Sequence, residues 1–221
     1  MAVLQPDRAQ QLDLFRENLR PHPFCTDSFQ FGLKRLPIAD AIKRLNIEPN
    51  TPTEKRWMVY DIDRPTASFD WEDMDAPAPN IVVTNKTNGH AHLFYGLDYP
   101  VFYNPGTKDK PRKLQRSVDF GLTAKLEADP GYGKLIAKNP LRDDFWKVKI
   151  IQDKPYDLKL LSEYIDLSEI TRRRNAPIMG LGRNCSLFDS LRYWAYSGVR
   201  NYWGKSYNSF LGGLVHQGAI F

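Results

Sequence analysis

The sequence predicts an α+β fold in which a mixed or antiparallel sheet is flanked by helices. Three observations predict it. Residues 56–63, RWMVYDID, alternate with the period of two that marks a strand. The apolar runs IVVT and HAHLFYG are separated by a polar stretch ending in Asn88-Gly89, a dipeptide that closes β-hairpins. Leu12, Phe15 and Leu19 near the start, and Leu114, Val118, Leu122 and Leu126 in the middle, recur at helical spacing.

In chain order, an amphipathic helix is expected over 4–19, stopped by Pro21 and Pro23, and a short helix over 37–45. A polar, proline-bearing connection leads into the strand at 56–63, and RPTASFDWEDMDAPAPN then reads as irregular. Strands follow at 81–84 and 90–96, with a helix from 108 to 128 ended by Asp129-Pro130-Gly131. Further strands are expected at 133–141 and 147–151. After Pro155 the segments DLKLLSEYIDL and SLFDSLRYWAYSGVRNYW read as helical, with Ser186 and Asp189 at capping-box spacing. Residues 1–155 are therefore expected to form the α+β domain and 156–221 a helical module.

With 221 residues, 42% of them hydrophobic and 13% aromatic, the chain can bury a sizeable core. No apolar run approaches the roughly 20 residues of a membrane span, and MAVLQPDRAQQ lacks the apolar core of a signal peptide, so a cytoplasmic location without a membrane partner is expected. Cys25 and Cys185 match no zinc spacing and read as reduced packing residues. The net charge of +5 and two basic clusters, Lys108 to Arg116 and Arg172 to Arg174, fit a polyanionic partner, although such runs are also ordinary solvated surface.

Asp61 and Asp63 share one face of the strand at 56–63, a geometry suited to a divalent cation held by hard oxygen ligands. Such pairs also end strands as plain solvated residues. On the strand at 90–96, His90, His92 and Phe94 share one face, and Ala91, Leu93 and Tyr95 the other. Strand histidines bind phosphate or metal, or sit partly exposed with no such role. The order, a strand ending in D-x-D followed by a hairpin whose returning strand carries H-x-H, favours the chemical reading.

The series VYDID, NGHAHLFYGL, ADPGYGKLIAKNPL and GRNCSLFDSLRYWAY resembles the replication initiator (Rep) proteins of colicin-type theta-replicating plasmids, which belong to the archaeo-eukaryotic primase (AEP) superfamily. The resemblance implies a primase-like catalytic domain over 1–155, a primase-associated helical module over 156–221, and a chain that stops before an origin-binding domain. It implies that Asp61 and Asp63 bind metal, with Asp119 favoured over Asp129 as the third acid. His92, with His90 as second choice, is implied as the contact to the phosphates of the incoming nucleotide. Lys138, Asn139 and Arg183 are implied as contacts to triphosphate or template backbone, although the two cations also read as ordinary exposed side chains and Asp129 as a turn residue.

What the resemblance implies functionally is two-metal-ion nucleotidyl transfer with Mg²⁺ or Mn²⁺. A short primer is made from nucleoside triphosphates on a DNA template at the plasmid origin, with a host DNA polymerase as a further partner. Two other readings stand beside it. In a rolling-circle-type HUH nicking endonuclease, H-x-H binds a metal and a tyrosine attacks DNA, but Ala91 stands where a bulky apolar residue is expected. A non-catalytic DNA-binding module would use the basic clusters alone.

Overall fold

The computed structural model describes residues 8–166. Helix α1 (Arg8–Glu17) is followed by β1 (Phe24–Thr26), a 3-10 turn (Phe29–Phe31), β2 (Lys34–Arg35), α2 (Ile38–Ala41) and β3 (Asn46–Ile47). The long strand β4 (Glu54–Ile62) precedes α3 (Asp70–Asp73), β5 (Ile81–Thr84) and β6 (Ala91–Phe102). Then come α4 (Asp109–Lys125), β7 (Ala137–Lys138), β8 (Lys147–Ile150) and α5 (Leu158–Glu163).

The strands divide into two four-stranded sheets, ordered β4-β6-β5-β8 and β2-β1-β3-β7. All their strand pairs are antiparallel. Both faces of the larger sheet are covered. Met58, Tyr60, Ile62, Leu93 and Tyr95 form one core with Val118, Leu122 and Leu126 of α4 and its C-terminal turn, and with Leu161 of α5. Trp57, Val59, Ile81, Val83 and Phe94 form a second core with Phe15 of α1 and with Cys25, Ile47 and Ala137 of the smaller sheet. Rings of Phe15, Trp57 and Phe94 meet there at centroid separations of 5.6 to 6.2 Å. Each such buried side chain contributes roughly 1.5–3 kcal/mol. The alternation along β4 thus separates two cores, and the face that carries Asp61 is apolar up to Val59.

Several boundaries differ from the sequence reading. The segment expected to be irregular contains α3, four residues with three acids in its first turn. The expected helix over 108–128 ends at Lys125, because the chain turns through a left-handed Glu127 (φ 48°). Of the strand expected over 133–141 only Ala137 and Lys138 pair, after a left-handed Lys134 (φ 56°). Strand β6 continues past residue 96 to Phe102, and its last residues pair only with β4. That leaves room for Pro100, which has no N–H to give to a second neighbour.

At the start of the predicted helical module, Tyr156 forms a parallel bridge with Leu97, and Leu161 is fully buried in the α4 core. Residues from 167 on, with Arg172 to Arg174, Arg183 and Cys185, lie outside the described residues. Cys25 is a buried free thiol. Among the described residues no helix is long and apolar enough to cross a membrane.

Candidate active site

Asp61 and His92 are direct cross-strand partners in the β4–β6 register, so the antiparallel pairing puts both side chains on one face. His92 Nε2 lies 3.1 Å from Asp61 Oδ1. Its Nδ1 accepts a hydrogen bond from the Lys138 backbone N–H at 3.0 Å. An accepting Nδ1 puts the ring proton on Nε2, which donates to Asp61. Strand β7 of the smaller sheet is thereby tied to the larger one at the site. The Lys138 ammonium also stands 3.5 Å from Asp61 Oδ1.

A free sheet edge brings in the third acid. In its sheet β4 is an edge strand, and the Asp129 N–H donates to the Asp61 carbonyl at 2.9 Å. Arg64 fixes the approach: its guanidinium donates to the Leu126 carbonyl at 3.1 Å and the Glu127 carbonyl at 3.3 Å, and pairs with Asp70. A cation on the carbonyls of the C-cap and the residue after it completes the end of α4. The Gly131 N–H, donating to Asp129 Oδ1 at 2.8 Å, orients the carboxylate. Asp61, Asp63 and Asp129 each present an oxygen within 4.8 Å of the others.

The β5–β6 connection supplies His90. Gly89 has φ 77°, and a Cβ there would stand 2.4 Å from the Pro65 carbonyl oxygen, so only glycine lets the connection lie against the chain just beyond Asp63. His90 Nδ1 then reaches Asp63 Oδ1 at 3.0 Å.

The remaining sequence candidates are placed differently. Asp119, favoured above as third acid, points from α4 to the Lys134 ammonium, with which it pairs. The structure brings Asp129 to Asp61 and Asp63 instead, because the turn after α4 docks on the β4 edge while Asp119 lies within α4, more than one helical turn before its end. Asn139, expected to contact nucleotide or DNA, is fully buried. Its amide donates to the Ile42 and Arg44 carbonyls and accepts from Leu141 N–H, so it braces the loop after α2. Both ring nitrogens of His92 are engaged within the protein, so its imidazole as placed orients Asp61. Arg64 and Tyr132 were not singled out from the sequence; Arg64 directly follows the D-x-D pair, the one signal that pointed to it. The Tyr132 ring lies 5.1 Å from the His92 ring, and its hydroxyl donates to Ile136 at 2.6 Å.

Burial opposes ionisation of Asp61, but the hydrogen bond from His92 and the Lys138 cation outweigh it and hold the carboxyl below its ordinary value. Burial is the largest influence on His92 and, against the pull of Asp61, keeps the imidazole neutral at pH 7. Burial likewise lowers Lys138, which Asp61 and Asp63 only partly counter, and pushes the Tyr132 phenol far up. A cleft of about 500 Å³ opens beside Asp61, His92 and Lys138. Three carboxylate oxygens within 4.8 Å of one another, two of them on exposed residues, are the hard donor set that Mg²⁺ or Mn²⁺ takes.

A family model for the Replicase family matches residues 18–165, the stretch that holds every element of this site. No curated protein is similar enough to count as a match. Among solved structures, the AEP domain of the cyanophage S-2L primase-polymerase is similar at 12% identity and a TM-score of 0.49, over 72% of this chain and 98% of that one. The family match spans most of the chain, and the chain belongs to the Replicase family.

Proposed function

We propose that the chain is a replication primase that makes a short primer from nucleoside triphosphates on a DNA template at a plasmid origin, with Mg²⁺ or Mn²⁺ held by Asp61, Asp63 and Asp129. The observation that carries this reading is the convergence of those three carboxylates, two from the end of β4 and one from the turn after α4, with Asp61 lining a cleft that also holds Lys138. Membership of the Replicase family supports it. In the reaction, a 3′ oxygen bonds to the α-phosphorus of the next nucleotide, the bond to the bridging oxygen breaks, pyrophosphate leaves and the hydroxyl proton passes to solvent. A divalent cation, when bound, lowers the pKa of that hydroxyl and neutralises the triphosphate.

The protein's part is positional. His92 holds Asp61 through Nε2–H while the Lys138 backbone fixes the imidazole tautomer. The Lys138 ammonium supplies positive charge to the phosphates within the cleft, and His90 steadies Asp63. The test is primer synthesis with labelled ribonucleotides on a single-stranded template, comparing wild type with Asp63→Ala. Product from wild type and none from the variant, at unchanged DNA affinity, is the expected result. Equal synthesis by both proteins would refute the assignment, and a tyrosine-linked DNA adduct without incorporation would replace it with nicking.

A further inference from the structure

The cleft beside Asp61 is lined by two chemically distinct sets of side chains. Asp61, His92 and Lys138 are polar, whereas Phe29, Leu33 and Leu135 are apolar. Those three apolar side chains are 65%, 37% and 47% exposed. Exposed apolar groups gathered on one concave surface mark a binding site more often than scattered ones do.

Phe29 is exposed but its backbone is tightly held. Ser28 caps the 3-10 turn by accepting from the Gln30 N–H, the Gly32 N–H (φ 71° at Gly32) donates to the Phe29 carbonyl, and Thr26 Oγ1 is tied to Ser28 at both its carbonyl and its N–H. Leu135 arrives on a separate loop, pinned by the bond from Tyr132 to the Ile136 carbonyl. A nucleoside triphosphate carries the same two kinds of surface, charged phosphates and a flat π face.

We infer that Phe29, with Leu33 and Leu135 beside it, is the platform on which the base of the incoming nucleotide stacks while its phosphates lie towards Lys138 and the carboxylates. The inference rests on the nucleotidyl-transfer reading above and goes beyond it in assigning how the base is held. Stacking is tolerant of base identity because every base has a π face, so this platform takes all four bases alike and leaves selection to the template.

The experiment measures binding of ribonucleoside triphosphates and of inorganic tripolyphosphate to the full chain with Mg²⁺ present, for wild type, Phe29→Ala, Phe29→Trp and Phe31→Ala. Phe31 sits on the same turn at 79% exposure but does not line this cleft, so it controls for the turn itself. Phe29→Ala is expected to weaken nucleotide binding roughly tenfold while leaving tripolyphosphate unchanged. Phe29→Trp should keep wild-type affinity, and so should Phe31→Ala. Wild-type nucleotide affinity in Phe29→Ala overturns the inference alone, as does an equal loss for tripolyphosphate. Failure of wild type to bind any nucleotide overturns the nucleotidyl-transfer reading and this inference with it.

Discussion

Asp119 and Asp129 stand ten residues apart in sequence, on α4 and on the turn that follows it, yet their surroundings differ completely. Asp119 pairs with Lys134, whose ammonium also lies 4.5 Å from the centre of the Tyr60 ring. Asp129 is held through its backbone on the edge of β4 and turns its carboxylate towards two others. Surroundings rather than sequence spacing separate the two acids: Asp119 is tied to Lys134, whereas docking on the β4 edge carries an Asp129 oxygen to within 4.8 Å of oxygens of Asp61 and Asp63.

Neutralising each acid in turn separates the two roles. Asp129→Asn and Asp61→Asn are expected to reduce primer synthesis roughly 100- to 1,000-fold, whereas Asp119→Asn should lower thermal stability and leave synthesis close to wild type. Steady-state rates and melting curves on the same preparations separate the two outcomes. Next in size is the effect of the cation on stability. Mn²⁺ at about a hundred times its Kd should stabilise wild type by about 2.7 kcal/mol, an increment that Asp129→Asn loses and Asp119→Asn retains. Calorimetry with and without chelator reads it directly.

Gly89→Ala tests whether the close approach behind Asp63 matters as much as the carboxylates. The substitution forces a left-handed φ and a clash with the Pro65 carbonyl, and should destabilise the fold by about 2 kcal/mol. Cation affinity should fall with it. The smallest effect concerns pH in the absence of metal. His92 is neutral in the folded protein, its pKa lowered by burial from 6.5, so below that value the unfolded chain binds a proton that the folded one does not. Stability should therefore fall as pH drops from about 7 to about 5.5, more steeply in wild type than in His92→Gln. Melting temperatures with EDTA present that change in parallel for the two proteins would show that His92 is not the group responsible.

Much of the larger sheet was legible because each of its long strands carries its own pattern. The alternation of β4 puts Asp61 and Asp63 on one face of that strand, and the pattern after the Asn88-Gly89 turn puts His90 and His92 on one face of the next; the β4–β6 register then brings Asp61 and His92 together. The smaller sheet was not legible. Strands of two or three residues, such as Asn46–Ile47 and Ala137–Lys138, are too short to show a period, and they exist because neighbours from distant segments pair with them. Asn139, implied by the resemblance as a nucleotide or template contact, instead donates its amide to the Ile42 and Arg44 carbonyls, 97 and 95 positions away, a pairing that no local pattern shows.

The amino-acid order by itself determined the α+β class, the D-x-D and H-x-H faces and the glycine at residue 89, since all of these follow from backbone periodicity and local sterics. Only the tertiary structure decided which acid completes the cluster, that both nitrogens of His92 are engaged, and that Phe29 shares a cleft with Asp61. Those facts depend on hydrogen bonds and packing between residues tens of positions apart, formed where a sheet edge or a lone carbonyl still required a partner.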